Sequence, residues 1–287
     1  MDARIIAAMM KSEVVLTSYT AISYHNEELK SLTRYRFDKV QERAKLKTSV
    51  ARLVNILFPE LEKHVSSIHL NAVYALLSEF PGAKQIASCH LTRLTHLLSE
   101  ASQGRFQREK AIEFRKAAIT SVGSAMSAKS LELKHTIHLI NILTEEIDEI
   151  EASIKEIMDE IHSPILTIPG ISYRMGAMIL AEIGDFSRFD SPDQILAYAG
   201  ISPSIYQSGK LDNAYPHMEK RGSRYLRYAL YNASKCVSLY DPKFASYLAK
   251  KRAEGKHYNV ALSHVAKKLV RVMFALQRSG SDYCVAS

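Results

Sequence analysis

Apolar residues recur along this chain at steps of three and four rather than at every second position, so the pattern predicts helices almost throughout. From about 26 to 65, "NEELKSLTRYRFDKVQERAKLKTSVARLVNILFPELEKHV" places Leu29, Leu32, Val40, Val50, Leu53 and Leu57 on one stripe of a long helix that Pro59 stops. Shorter helices with weaker stripes follow over 66–125, interrupted at "FPGAK" and "ASQGR". From 126 to 162 the pattern tightens to heptads. Leu133, Ile140, Ile147, Ile154 and Ile161 share one seam position and Leu143, Ile150 and Ile157 the other, which predicts a coiled-coil arm. Composition changes after "HSP", and a compact C-terminal domain is expected over 163–287. Its last helix should bury Val260, Val265, Leu269, Val272 and Met273 and expose Lys267, Lys268 and Arg271. The fold class is therefore mainly α: a basic long helix and a coiled-coil arm, then a compact C-terminal helical domain.

Charge adds a division that hydropathy does not show. Lys and Arg exceed Asp and Glu by 38 to 30, a net +8 that points to nucleic acid or another anionic partner. On the first long helix Arg34, Arg36, Lys39, Arg43, Lys45, Lys47 and Arg52 stand against Asp38 and Glu42, whereas the heptad arm reads "TEEIDEIEASIKEIMDEI". Opposite signs suit antiparallel pairing of the two helices, within one chain or across a homo-oligomer. From Ile165 onward 17 Lys and Arg face 9 acids, so the positive excess also lies there. Cys89, Cys236 and Cys284 form neither a CxxC pair nor a disulfide framework; they predict a reducing, cytoplasmic setting and packing as small apolar residues. No apolar run approaches the roughly 18 residues of a membrane span, and "MDARIIAAMMKSE" lacks the features of a signal peptide, so a soluble protein is expected.

Candidate chemistry concentrates in the C-terminal half. "LTIPGISYRMGAMILAEIGDF" has the layout of a helix-hairpin-helix, with Pro169, Gly170 and Ile171 at the turn and Met175, Ile179 and Ile183 facing inward. Such a turn presents backbone N–H groups and a helix N-terminus to phosphate; an ordinary turn between helices has the same look. Asp185, Asp190 and Asp193 suggest a cap rather than a metal site: Ser191 as N-cap, Pro192 at the first helical position and Gln194 at the third make a capping box, and Gly200 ends the helix. Ser208-Gly209 falls in a loop or short hairpin. Most such pairs are turns, and no His or Asp with triad spacing stands near to activate a nucleophile. Downstream, Lys220, Arg221, Arg224 and Arg227 at near-helical spacing suit a scissile phosphate, or simply a solvated basic face. Tyr225, Tyr228 and Tyr231 share that helix as packing residues or as a stacking platform.

Taken in order, "SLTRYRFDKVQERAKLKTSVARLVNILFPELEKH", "LTIPGISYRMGAMILAEIGDFSRFDSPDQILAYAGISPSIYQSGK" and "EKRGSRYLRYALYNAS" resemble the transposases of the IS one-ten (IS one-eleven-eleven, or DEDD) insertion sequences, the bridge-RNA-guided recombinases. The resemblance covers nearly the whole chain. It implies a RuvC-like N-terminal domain whose four acids, Asp-Glu-Asp-Asp, bind Mg²⁺, and a C-terminal serine that attacks DNA phosphorus to form a phosphoserine link. It also implies DNA and a structured guide RNA as partners. The family's Ser-Gly matches Ser208-Gly209, and its K-x-G-x-x-x-L-R matches Lys220, Gly222, Leu226 and Arg227, with Arg221 and Arg224 as added basic groups. Its K-T-D-x-x-D-A-x-x-I-A matches only as "MDARIIA", so Asp2 stands at the fourth acid and residues 1–25 correspond to the end of the RuvC-like domain. The first three acids have no counterpart. The expectation is a truncated element or a start at an internal Met of a longer frame, and a chain that does not transpose alone, since one carboxylate does not assemble a metal pair. The alternative is a non-catalytic helix-hairpin-helix DNA-binding protein in which Ser208 is a turn residue.

Overall fold

The first stripe forms α1 (Tyr24–Leu57), and Pro59 ends it as the pattern predicts, but the chain beyond is a tight 3₁₀ turn, Pro59–His64, rather than a continued helix. The computed structural model describes residues 24–202 and 220–284, together with 4, 7, 8, 11, 207, 208, 211, 212 and 218. Two units share these residues, Leu32–Glu156 and Ile157–Ser287 with Met1–Ser31. The fold is mainly helical, and no helix among the described residues is long and apolar enough to cross a membrane.

In the first unit α1 is followed by α2 (Asn71–Glu79), α3 (Ala83–Ser88), α4 (Leu91–Ala101), α5 (Arg108–Ile119) and the long α6 (Ser127–Glu160). One core joins the C-terminal half of α1, through Val50, Leu53 and Leu57, to Phe58 and Leu61, to the short helices and to Leu133, Ile137 and Ile140 of α6. The basic and acidic faces meet within the chain. Arg36 pairs with Glu151 at 2.6 Å, Lys39 with Glu146 at 2.6 Å and Arg52 with Glu132 at 3.0 Å, and Arg43 donates to Thr144 at 3.1 Å. Partner numbers fall as α1 numbers rise, so α1 and α6 run antiparallel. Leu133, Ile140, Ile147 and Ile154 are buried along the expected seam, with Leu143 and Ile150 on the other. At the far end Met158 is buried and Ile157 half-buried, because a helix of 3.6 residues per turn drifts from a strict 3.5 repeat; Ile161 falls just past the end of α6 and is half-buried.

The second unit contains α7 (Tyr173–Ile183), α8 (Pro192–Tyr198), a two-strand ribbon of β1 (Gln207–Ser208) and β2 (Leu211–Asp212), then α9 (Arg224–Tyr240), α10 (Pro242–Ala253) and α11 (Tyr258–Ser279). Helix α9 packs on α7, α10 and α11. Small residues let it do so: Ala229, Ala233 and Ser234 are fully buried, and the Ser234 and Ser238 hydroxyls donate back to the Leu230 and Ser234 carbonyls at 2.6 and 2.8 Å. Asp241 ends α9 and starts α10, its Oδ1 accepting from the N–H groups of Lys243 (2.7 Å) and Phe244 (3.2 Å), with Pro242 at the first helical position.

Three expectations for this unit change. The core face of α11 is Ala261, Leu262, Val265, Ala266, Leu269, Val270, Met273 and Phe274; Val260 is exposed and Val272 half-buried, because the stripe starts one position later. In α7 Met178 takes the inner position and Met175 is half-buried. Of the cysteines only Cys89 is buried, while Cys236 is half-buried and Cys284 exposed.

Candidate functional site

The expected hairpin turn is a corner. The Ile171 N–H donates to the Ile168 carbonyl at 3.0 Å across Pro169 and Gly170, and Gly170 has φ +90°, the pattern of a type II turn. A Cβ on Gly170 would strike the Cys236 carbonyl, so the turn lies directly against the backbone of α9. Ile168 and Ile171 are buried on either side, and Ser172 caps α7 by accepting the Met175 N–H at 3.3 Å. Pro169, Gly170 and Ile171 thus have a packing duty that requires no ligand.

The cap of α8 is built one residue earlier than the capping box predicts. Ser191 is the N-cap but its side chain makes no cap bond; Gln194 instead accepts from the Asp190 N–H at 2.9 Å and donates to its carboxylate at 3.2 Å. The side chain of Gln194 is long enough to pass the N-cap and reach the residue before it. Asp185 caps a 3₁₀ turn through Ser187, and that contact holds its carboxyl below the usual range. Asp193 pairs with Arg271 at 3.3 Å. Asp185 and Asp190 are occupied by local caps and Asp193 by Arg271, and among the described residues no three His, Cys, Asp or Glu side chains gather as a metal site would require. The described residues therefore do not fit the Mg²⁺ that the family resemblance implies. Asp2, the one acid matched to that role, lies outside the described residues.

At residues 220–222 the chain lies beside the segment 198–200. The Ser223 N–H donates to the Tyr198 carbonyl at 3.0 Å. Gly200 (φ +68°) and Gly222 (φ +115°) face each other's segments so closely that a Cβ on the first would strike the Arg221 carbonyl oxygen, and on the second the Tyr198 carbonyl oxygen. No other residue meets both demands, positive φ and no side chain. The Arg227 guanidinium then bridges the two strands of this stem, Nη1 donating to the Ala199 carbonyl at 2.9 Å and the Lys220 carbonyl at 3.3 Å. Leu226, fully buried, anchors α9 beneath it. Gly222, Leu226 and Arg227, three of the four matched motif positions, build the stem.

A pair that sequence reasoning missed locks the stem to α7. Glu182, 2% exposed, accepts from the Ser223 hydroxyl at 2.6 Å, while the same oxygen accepts the Leu226 N–H at 3.1 Å as the cap of α9. A lone acid in the apolar run "MILAEI" was the available signal.

Ser208 sits in β1, opposite Leu211 of β2, with Gln207 opposite Asp212. Gly209 lies outside the described residues, as do the remaining ends of the excursion. Lys220 and Arg221 are exposed at the return of the stem, Lys220 with φ +55°. Arg224 is exposed on the first turn of α9, stacked over the Tyr225 ring at 4.6 Å and donating to its hydroxyl at 2.7 Å. Of the expected basic group, Lys220, Arg221 and Arg224 thus cluster at an exposed helix start and Arg227 turns inward. Tyr228 is exposed, and Tyr225 and Tyr231 are half-buried.

Residues 162–249, which include this stem and α9, match the family model described as Transposase IS116/IS110/IS902 family, and residues 1–59 match the IS110 DEDD transposase model. Both are models of transposases. The chain is 26% identical to the uncharacterized 43.6 kDa protein of insertion element IS110 from Streptomyces coelicolor, over 98% of this chain and 69% of the relative. It is 26% identical to the uncharacterized 42 kDa protein of insertion element IS900 from Mycobacterium paratuberculosis, over 98% of this chain and 71% of the relative. A pilin gene-inverting protein from Moraxella bovis is 29% identical over 42% of this chain and 38% of its own length.

Proposed function

We propose that the chain acts in DNA transposition or site-specific recombination, with Ser208 as the nucleophile of its C-terminal unit. The observation that carries the reading is the stem. A catalytic serine must be held at a fixed place, and Ser208 lies in sequence between the two ends that Gly200, Gly222 and Arg227 close, within the segment that matches the transposase family. The relatives' names, insertion elements and a gene inverter, fit DNA rearrangement.

In this reading the Ser208 oxygen forms a bond to a DNA phosphorus and one strand oxygen departs, taking up the proton that the hydroxyl gives up. One phosphodiester becomes a phosphoserine ester, so the bond energy is retained for rejoining. Lys220, Arg221 and Arg224 hold the phosphate backbone near the start of α9, with Gly209 next to Ser208 in the chain; Pro169, Gly170 and the buried Ile171 act through the packing of their turn on α9. Arg227 acts through the stem, as a positioning residue. The metal-binding acids, Asp2 among them, a guide RNA and a homo-oligomer complete the proposal.

The test is a covalent adduct. The chain, extended by whatever its reading frame encodes upstream, is incubated with Mg²⁺ and end-labelled junction DNA, and protein-linked label is followed on denaturing gels. Wild type should trap label and Ser208→Ala should not. Adducts that persist in Ser208→Ala reject the serine. DNA binding without adducts under any condition returns the chain to a non-catalytic DNA-binding protein.

A further inference from the structure

Residues 242–280 hold nine Lys and Arg against Glu254 alone, an excess equal to the +8 of the whole chain. Folding brings Lys251, Lys256, Lys267 and Lys268 together around Tyr247 and His264, while Arg271 pairs with Asp193 of α8. Lys268 on α11 lies 4.9 Å from the Tyr247 ring centre and 5.1 Å from that of Phe244, both on α10, while Lys251 approaches the same Tyr247 ring at 5.6 Å. Glu254 is shared by Lys251 at 2.9 Å and Lys256 at 3.4 Å. His264 sits among them and is held below its ordinary value by burial and then by Lys251, Lys256 and Lys267, against the pull of Glu254. Lys250 and Arg252 are exposed on α10. None of the nine cations is buried; Lys268 covers the buried Phe244, whereas Lys250 and Arg252 stand clear in solvent, and like-charge crowding works against folding.

We infer that the outer face of α10 and α11 is a docking surface for the phosphate backbone of duplex DNA. The surface rests on the DNA reading above and extends it, since the family-model match ends at residue 249, one position before Lys250. Six of the nine cations are lysines. A lysine ammonium is a point charge without the planar fork that reads base edges, so the surface binds without regard to sequence. Cations from two helices and their connection form one broad face, as a run of phosphates along a duplex requires.

The test is the salt dependence of binding. Fluorescence anisotropy with a labelled random-sequence duplex is measured over a KCl series for wild type, for K250A/R252A/K267A, and for a control that removes equal charge elsewhere, K84A/R105A/K116A. Circular dichroism melts confirm that each variant folds, and the single Lys250→Ala gives a smaller step in the same direction. The surface triple should lower the slope of log K against log salt by about 2 to 3, close to one per lost phosphate contact, and the control by well under 1. Equal slopes for wild type and surface triple overturn the surface, as does a control that matches it. A triple that weakens binding of a structured RNA and leaves the duplex untouched also overturns it. If wild type itself binds no duplex at any salt, the DNA reading fails rather than this extension of it.

Discussion

On α1, Arg36, Lys39 and Arg52 each face a glutamate of α6; on α10 and its link to α11, Lys251 and Lys256 share one glutamate, and the cations around them face none in their own segment. The two regions look alike in a charge count. Their difference lies in what the opposite helix carries. Where the partner helix is acidic, positive charge closes the fold on itself; where the partner is also basic, the two helices offer it only Glu254, and Arg271 reaches Asp193 outside them. Between these extremes stands Arg227, a cation whose guanidinium is bound to backbone carbonyls. A basic motif therefore specifies a partner only after its internal ones are known.

The largest test of the contrast leaves charge untouched. Gly222→Ala puts a methyl against the Tyr198 carbonyl at a φ of +115°, and should cost about 2 to 4 kcal/mol in urea unfolding. An unchanged midpoint would mean that Gly222 does not close the stem. Arg227→Ala removes two charge-assisted bonds and should cost about 2 to 3 kcal/mol while changing the salt slope of DNA binding by less than the α10–α11 variants do. The reverse outcome would move Arg227 to the open class. For the closed class, a double-mutant cycle of Arg36 and Glu151 should show coupling of about 1 kcal/mol that survives salt. The more exposed Arg52–Glu132 pair should lose its coupling at high salt, and neither pair should affect DNA affinity.

The smallest effect is in two histidines. His69, bonded to the Tyr74 hydroxyl at 2.9 Å, is held down first by burial and then by Lys47 alone; for His264 three lysines add to burial. Each folded value lies below the unfolded one, so each contributes stability that is complete above about pH 6.5 and is lost as pH falls through the folded value. NMR titration in rising salt should raise His264 toward its ordinary value more than His69, since salt screens lysines but does not undo burial. Equal salt responses would erase the distinction between the two environments.

How much of this was legible in the sequence depends on the range of the cause. Periodicity showed α1, α6 and α11, because side chains three and four apart share a face whatever lies opposite. The opposite charges of α1 and α6 showed their antiparallel pairing, and the structure places it within one chain. What escaped came from contacts made across sequence distance. Gly170 read as a turn residue and Gly222 only as a motif match, yet each is fixed by a backbone that arrives from elsewhere, Cys236 in one case and Tyr198 in the other. Nothing beside Glu182 in the sequence announces Ser223, 41 residues on. Arg227 looked like part of the basic group by spacing alone, and only the returning chain shows where its guanidinium points.

The stem also separates what closes the chain from the length it closes over. The Ser223 N–H, the Arg227 guanidinium and the close approach of Gly200 and Gly222 hold the exit and the return side by side. With the ends held, the chain entropy of the segment between them depends on its length only as a logarithm, about 0.6 kcal/mol for a doubling. A change of length between the ends is therefore far cheaper for the closure than a single methyl group on either glycine.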